Sequence, residues 1–200
     1  MPPRPRPSGP AWVRMALLFY GVVLAVAILW RMGIQGEPLF FASTRAAERG
    51  VRLGRDLAAG LAGAALVVLL SWEFTRRTAS GQLLAKTLAS LVGSLTLREC
   101  LLLALASGIG EEAFFRGALQ PRVGLIAASL LFGAAHFIPR RRLVAWSAFS
   151  LAAGFLLGGL FAWTGNLLAP ITAHVGINAV NLRLLTLEFG QGPGEAPPPS

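Results

Sequence analysis

Long apolar runs separated by short polar stretches dominate the pattern of this chain. The runs cover residues 12–30, 57–72, 100–120, 123–138, 143–163 and 167–187. A membrane helix needs about 20 predominantly apolar residues to cross roughly 30 Å of hydrocarbon, and most of these runs approach that length. The pattern therefore predicts an all-α fold, a polytopic transmembrane bundle of about six to seven membrane helices with a buried polar cavity.

Two stretches between the runs are less regular. Residues 36–56 are polar and rich in arginine, which indicates a connection that could hold an interfacial helix. Residues 81–97 contain Lys86 and several hydroxyl side chains, so this segment either spans the bilayer or lies in its interface. Pro121 and Pro139 are expected to end the helices before them, because proline cannot donate the hydrogen bond that continues a helix.

The same pattern divides the chain into four parts. Residues 1–11 and 189–200 are rich in proline and are predicted to be flexible tails. Residues 12–97 are predicted to hold the N-terminal membrane helices and the interfacial connection. Residues 98–188 then form a helical core of closely spaced segments, whose short connectors favour antiparallel packing of neighbours.

Composition and charge agree with a membrane protein. Apolar residues (AVILMFWYC) make up 54% of the 200 residues and charged residues 14%, well below the roughly one quarter typical of soluble domains. The net charge is +9, yet the arginines lie between the apolar runs, where they meet lipid headgroups and set topology. Nucleic-acid binding is not expected, because no basic stripe is interleaved with exposed aromatic residues. The five tryptophans lie near predicted span ends, and the basic run 140–142 predicts a cytoplasmic surface.

A few ionisable residues lie inside the apolar segments, where each is costly unless it is paired or faces water. Glu111, Glu112 and Arg116 lie in one segment, and the chain's two histidines, His136 and His174, lie in two others. Glu112 and Arg116 are four residues apart and share a helix face, so we expect them to form an ion pair. Glu111 points about 100° away and is left without that partner. A purely structural ion pair that fixes helix register would explain Glu112 and Arg116 but not Glu111.

Two further short patterns place polar residues one helical turn apart. FGAAH brings Phe132 and His136 to one face, and HVGIN does the same for His174 and Asn178. Each pair alone is more typical of a satisfied core residue than of a site. Together with Glu111 they supply a base, two imidazoles and an amide donor on three helices. A G-x-x-x-G at 154–158, and the other glycines that flank the polar residues, permit close helix approach.

The motifs EEAFFR (111–116), FGAAH (132–136) and HVGIN (174–178), in this order, resemble the signature of the CPBP intramembrane proteases. This family is also called the type II CAAX prenyl endopeptidase or ABI family and includes the Ras-converting enzymes. The resemblance covers roughly residues 98–187. It implies an all-helical fold with a cavity open to the membrane, and an endopeptidase that acts near the membrane surface.

The resemblance also implies roles for the residues that match the motifs. Glu111 would be the general base that activates water, and His136 would help to hold that water. His174 and Asn178 would stabilise the oxyanion, with Glu112, Arg116 and Phe132 in support. No cofactor is required on this interpretation, although Glu111, His136 and His174 are a set that could bind a divalent metal such as Zn²⁺.

The sequence leaves open both the substrate of the protein and its functional class. The expected partners are the lipid bilayer and a peptide or protein with a membrane-proximal cleavage site. The arginine-rich, lysine-poor composition suggests a bacterial cytoplasmic membrane, where C-terminal sorting signals or bacteriocin-type peptides fit better than prenylated tails. The competing hypothesis is a non-catalytic membrane scaffold, an immunity factor or a small transporter that keeps the polar cluster for binding.

Overall fold

A computed structural model describes residues 11–189, so the predicted tails lie outside the described residues except for Ala11 and Phe189. Within this part the chain is helical and has no β-strand, which confirms the all-α class. The α-helices are α1 (Ala11–Ile28), α2 (Thr44–Arg49), α3 (Leu53–Arg77), α4 (Ala79–Val92), α5 (Leu97–Glu112), α6 (Gln120–Ala135), α7 (Val144–Thr164) and α8 (Leu168–Phe189).

Four helical stretches of residues 11–189 are long and apolar enough to cross a membrane: Ala11–Ile34, Leu53–Arg77, Leu97–Ala135 and Arg141–Thr164. The protein is therefore an integral membrane protein, but the expected count of six to seven spans is not confirmed. The segment expected at 81–97 forms α4, whose 14 residues rise only about 21 Å. α8 has the length of a span, but its histidine, asparagines and arginine dilute its apolar character.

The longest of these stretches contains two departures from a regular α-helix. A π-helical turn at Ala113–Leu119 joins α5 to α6. Pro121 does not end the helix as expected, because it lies in the first turn of α6, where a missing N–H is tolerated. The chain instead breaks three residues later at Gly124, whose φ of 83° is a conformation that glycine adopts without strain.

Glycines allow the helices to approach closely, as the sequence predicted. A methyl group at Gly60 of α3 would lie 2.6 Å from the carbonyl oxygen of Ala169 at the start of α8. One at Gly108 of α5 would lie 2.6 Å from Cγ2 of Val175 on α8. The contact surfaces of α3, α5 and α8 therefore have no room for a larger residue at these glycines.

The predicted G-x-x-x-G of α7 packs against α6. A methyl group at Gly154 would lie 3.0 Å from the Ser129 carbonyl oxygen, and one at Gly158 would lie 2.9 Å from Oε1 of Gln120. The Ser129 hydroxyl and the Gln120 amide in turn donate to the carbonyl oxygens of Gly154 and Gly158. These side-chain bonds hold α6 and α7 together without a hydrophobic driving force, as is typical inside a bilayer.

A buried carboxylate ties the start of α3 to the start of α8. Asp56 is fully buried, and its Oδ2 accepts hydrogen bonds from the Arg52 backbone at 3.1 Å and from Asn166 Nδ2 at 2.7 Å. Asn166 Oδ1 in turn accepts from the Leu168 backbone at 3.0 Å, in the first turn of α8. The helix that carries His174 and Asn178 is therefore held at its start by α3.

Candidate active site

Two adjacent carboxylates at the end of α5 form the centre of the site. Glu111 is 7% exposed and Glu112 is fully buried. Because successive helical residues point about 100° apart, the two side chains face different neighbours. Each carboxylate therefore has its own set of partners.

Glu112 connects α5 with α8 and with the π-helical turn. Its Oε2 lies 3.2 Å from Arg116 Nε, so the ion pair predicted from the spacing is present. Its Oε1 lies 2.7 Å from Nδ1 of His174. A carboxylate only accepts hydrogen bonds, so Nδ1 of His174 carries the proton of this contact. Glu112 thus fixes the orientation of the His174 ring.

Arg116 is buried, and its charge is enclosed by groups from three helices. Its Nη2 donates to the Gly154 carbonyl oxygen of α7 at 2.9 Å. Its guanidinium carbon lies 4.4 Å from the centre of the Phe132 ring on α6, within the range of a cation–π interaction. With Glu112 on the other side, these contacts stabilise a charge that would otherwise be very costly at this depth.

Glu111 meets His136, which α6 brings in from its C-terminal end. Glu111 Oε2 and His136 Nε2 are 3.4 Å apart. Nδ1 of His136 lies 2.9 Å from the Phe132 carbonyl oxygen, and because that oxygen only accepts, Nδ1 carries a proton. When the His136 ring is neutral, Nε2 is a hydrogen-bond acceptor that faces Glu111. When the ring carries both protons, Nε2–H faces Glu111 as part of an ion pair. The carboxylate expected to lack a partner has one from another helix.

The Phe132 ring lies beside both imidazoles. Its centre is 4.4 Å from that of His136 and 6.2 Å from that of His174. The two histidines, which are far apart in sequence, therefore flank one aromatic ring. Phe132 therefore contacts both imidazoles, and its supporting role stays a prediction.

Asn178 forms a second polar contact between α5 and α8. Its Nδ2 donates to the Ser107 hydroxyl at 2.9 Å. Ser107 precedes Glu111 by one turn on α5, and Asn178 follows His174 by one turn on α8. This contact therefore brings Asn178 to the same side of the helix pair as the Glu112–His174 contact. Asn178 retains a second Nδ2 proton for donation.

Two residues near the carboxylates are absent from the sequence prediction. Ser107 could have been found, because it precedes Glu111 by four residues and shares its helix face. Tyr20, the single tyrosine of the chain, lies on α1 within hydrogen-bonding range of the Glu111 carboxylate. A methyl group at Gly110 would lie 2.9 Å from the Tyr20 carbonyl oxygen, so α1 packs directly against the site. No spacing rule connects Tyr20 with Glu111, because the contact depends on the packing of α1.

The metal set considered from the sequence does not fit the observed arrangement. Within residues 11–189, no three His, Cys, Asp or Glu side chains are grouped so that they could hold a metal ion. Glu111 and His136 form one pair, whereas His174 is held by Glu112. We therefore derive no catalytic step through a metal at Glu111, His136 and His174.

Comparison with known proteins agrees with the motifs. Residues 93–180 match the family model described as Type II CAAX prenyl endopeptidase Rce1-like, which confirms the resemblance for this part of the chain. The uncharacterized protein YpbD of Bacillus subtilis (strain 168) is 49% identical over 80 residues, which cover 39% of this chain and 41% of that relative. The chain thus matches about two fifths of its relative's length. No solved structure shows a significant match.

Proposed function

Because the chain carries an Rce1-like type II CAAX prenyl endopeptidase domain at residues 93–180, we propose that it is an intramembrane endopeptidase. It hydrolyses a peptide bond near the membrane surface by means of water activated by a glutamate. The observation that carries this proposal is the pair of the buried Glu111 with the half-buried His136, which lies next to the Glu112–His174 pair. The two pairs place a base and a potential cationic donor on neighbouring helices.

In the first step Glu111 takes a proton from a water molecule. The 3.4 Å between Glu111 Oε2 and His136 Nε2 leaves both atoms able to bond the same water. With Nδ1 bonded to the Phe132 carbonyl oxygen, neutral His136 presents the Nε2 lone pair as an acceptor. The water is thereby oriented with its oxygen toward the scissile carbonyl carbon. Its oxygen forms the new C–O bond as Glu111 accepts the proton.

The negative charge that develops on the carbonyl oxygen needs donors, and α8 supplies two. His174 donates from Nε2 when its ring carries both protons, and the Glu112 carboxylate holds the ring in place through Nδ1. Asn178 donates its second Nδ2 proton, while Ser107 holds the amide in place. Donors that are already oriented stabilise a developing charge without further reorganisation.

The intermediate then breaks down by cleavage of the C–N bond. Glu111 returns the proton that it took from water to the leaving nitrogen, which departs as an amine. The other product is a carboxylic acid, and the enzyme is regenerated. Glu112 and Arg116 take no part in this proton transfer, because their mutual ion pair and the bond to His174 occupy both carboxylate oxygens.

The proposed location is a bacterial cytoplasmic membrane, and the proposed substrates are C-terminal sorting signals or bacteriocin-type peptides. The arginine-rich composition and the Bacillus relative support a bacterial source. The apolar surface of the bundle supports a substrate that reaches the site from the membrane. On α1, for example, Leu18 is 71% exposed and Val22 is 62% exposed.

Cleavage of membrane-associated peptides by the purified protein tests the proposal. The wild-type protein is reconstituted in liposomes with a library of peptides that each carry one apolar segment and a polar tail. New peptide termini are then identified by mass spectrometry. We expect cleavage by the wild type and none by the double variant Glu111→Gln/His136→Ala.

Two results would contradict the proposal. One is the same set of new termini from the wild type and from the double variant, which would assign cleavage to a contaminant or to another site. The other is the absence of cleavage across the library together with passage of peptide into the liposome lumen, as a transporter would give.

A further inference from the structure

A polar cavity lies away from the carboxylates, where α2, the start of α3 and the end of α7 meet. Its volume is about 400 Å³. Three arginines line it, Arg49, Arg52 and Arg55, and none of the lining residues is acidic. Ser43 and Thr164 are the other polar side chains that line it.

One of the three arginines is part of the wall itself. Arg55 Nε donates to Asp56 Oδ1 at 2.7 Å, and its Nη2 donates to the Thr164 carbonyl oxygen at 3.2 Å. Its guanidinium carbon also lies 5.6 Å from the centre of the Trp163 ring. The charge of Arg55 is thus balanced by the buried Asp56, and its position is fixed.

Within residues 11–189, the guanidinium groups of the other two arginines have no acidic side chain in contact. In the part of the chain that the structure describes, the guanidinium groups of Arg49 and Arg52 make no hydrogen bond and no ion pair. Both side chains are exposed. The cavity therefore presents the two positive charges of Arg49 and Arg52 to a ligand. The third charge, on Arg55, is already paired with Asp56.

The position of the cavity indicates a lipid as the ligand. α3 and α7 both belong to membrane-spanning stretches, and the cavity lies where α3 begins and α7 ends, at the boundary between hydrocarbon and water. Exposed apolar side chains accompany its lining residues: Trp163 itself is 63% exposed, and Val51 and Leu53, the chain neighbours of Arg52, are 40% and 63% exposed. A headgroup phosphate could bind the arginines while acyl chains cover these side chains.

We propose that this cavity binds the phosphate of an anionic phospholipid headgroup. Guanidinium groups bind phosphate oxygens through paired, charge-assisted hydrogen bonds, which Arg49 and Arg52 have available. Bound lipid joins α2 and α3 to the end of α7. Through Asp56 and Asn166 it also supports the start of α8, which carries His174.

Native mass spectrometry of the full chain tests this site. The protein is purified in an uncharged detergent and incubated with phosphatidylglycerol, phosphatidylcholine or inorganic phosphate. We expect one retained phosphatidylglycerol per chain, little retained phosphatidylcholine and no effect of phosphate. Arg49→Gln/Arg52→Gln should weaken phosphatidylglycerol binding roughly 25-fold, because each arginine near an anionic surface contributes about a factor of five in affinity.

Arg141→Gln/Arg142→Gln is the matched control. It removes the same charge from exposed arginines at the other end of α7, so phosphatidylglycerol binding should stay within about twofold of wild type. Equal losses in both double variants would overturn the proposal, because they would show a general charge effect. Displacement of the lipid by inorganic phosphate would show a site for free phosphate, and would equally overturn it.

A third variant separates the loss of the site from a loss of folding. Arg49→Lys/Arg52→Lys keeps both charges but lacks the paired donors of guanidinium, so it should bind with intermediate affinity. Without lipid, all variants should unfold at the wild-type temperature. Lipid binding by Arg49→Gln/Arg52→Gln at wild-type strength would show that the ligand binds elsewhere.

Discussion

Glu111 and Glu112 are chemically identical neighbours, but their surroundings give them different roles. Glu112 lies between Arg116 and His174, with one carboxylate oxygen facing each of them. Glu111 meets the one histidine whose side chain is partly open, since His136 is 23% exposed. A carboxylate with fixed partners stabilises structure, whereas one beside a more open imidazole can exchange protons with water.

This difference predicts effects of different size on stability from the same substitution at the two positions. Glu112→Gln should lower the free energy of unfolding by about 3–5 kcal/mol, because it leaves the buried Arg116 charge uncompensated. Glu111→Gln should change it by less than about 1 kcal/mol, because the new amide can donate to His136 Nε2. Unfolding followed in mixed micelles checks both. Equal losses at the two positions would contradict the division of roles.

The two asparagines of α8 form a similar pair of test positions. Asn178 bonds to Ser107 beside the carboxylates, whereas Asn181 accepts from the Ser71 hydroxyl of α3. Asn178→Ala should lower kcat by about 10²- to 10³-fold with little change in KM, as the loss of an oxyanion donor does. Asn181→Ala should leave kcat within a few-fold of wild type. Steady-state kinetics on a cleaved peptide would refute the oxyanion role if both variants behaved alike.

At the scale of elements, the contact between α5 and α8 builds the site. α5 carries Ser107, Glu111 and Glu112, and α8 carries His174 and Asn178. Gly108 permits the short distance between the helices, because a methyl group there would lie 2.6 Å from Val175 Cγ2 and 3.1 Å from its backbone nitrogen. The geometry of the polar groups thus depends on a residue with no chemistry of its own.

Gly108→Ala should therefore separate the two helices. We expect a loss of about 1–3 kcal/mol in the free energy of unfolding, typical of overpacking, together with a fall in activity. Gly159→Ala on α7 is the control, because a methyl group there meets nothing within 4 Å. It should be neutral or slightly stabilising. Chemical unfolding and peptide cleavage, measured on both variants, check this, and an unaffected Gly108→Ala protein would contradict it.

Sequence predicted contacts within one helix better than contacts between helices. The Glu112–Arg116 pair follows from a spacing of four residues. The Glu111–His136 and Glu112–His174 pairs depend on how three helices rotate against one another, which spacing does not determine. Pro121 was wrongly expected to end a helix. Proline is tolerated in the first turn of a helix, but the sequence did not show that a new helix would begin next to this residue. The break at Gly124 was not predicted at all.

At the scale of the whole molecule, the apolar pattern predicted the helical membrane fold and the motif order predicted the family resemblance. The all-helical class is confirmed, and so is the resemblance of residues 93–180 to the Rce1-like family model. The four-part division of the chain and the roles of the site residues stay predictions. The number of spans could not be read from run length, because α8 combines the length of a span with the polar residues of a site.

The proposed mechanism predicts how activity responds to metal removal. Glu111 and His136 together supply a base and an acceptor for water, so no step requires a metal ion. Cleavage should therefore continue unchanged after treatment with 1,10-phenanthroline and dialysis. Loss of cleavage that returned on addition of Zn²⁺ would show that a metal is needed, and would replace the glutamate-only mechanism.

The rate of peptide cleavage by the single variant Glu111→Gln tests the central claim most directly. Wild type, Glu111→Gln and the control Glu188→Gln, which lies in the last turn of α8, are compared on the same cleaved peptide in the same liposomes. The account predicts that kcat falls by about 10²- to 10⁴-fold in Glu111→Gln, with an unchanged unfolding temperature. Glu188→Gln should cleave at the wild-type rate. A Glu111→Gln protein that cleaves within a few-fold of wild type would contradict the claim that Glu111 activates water.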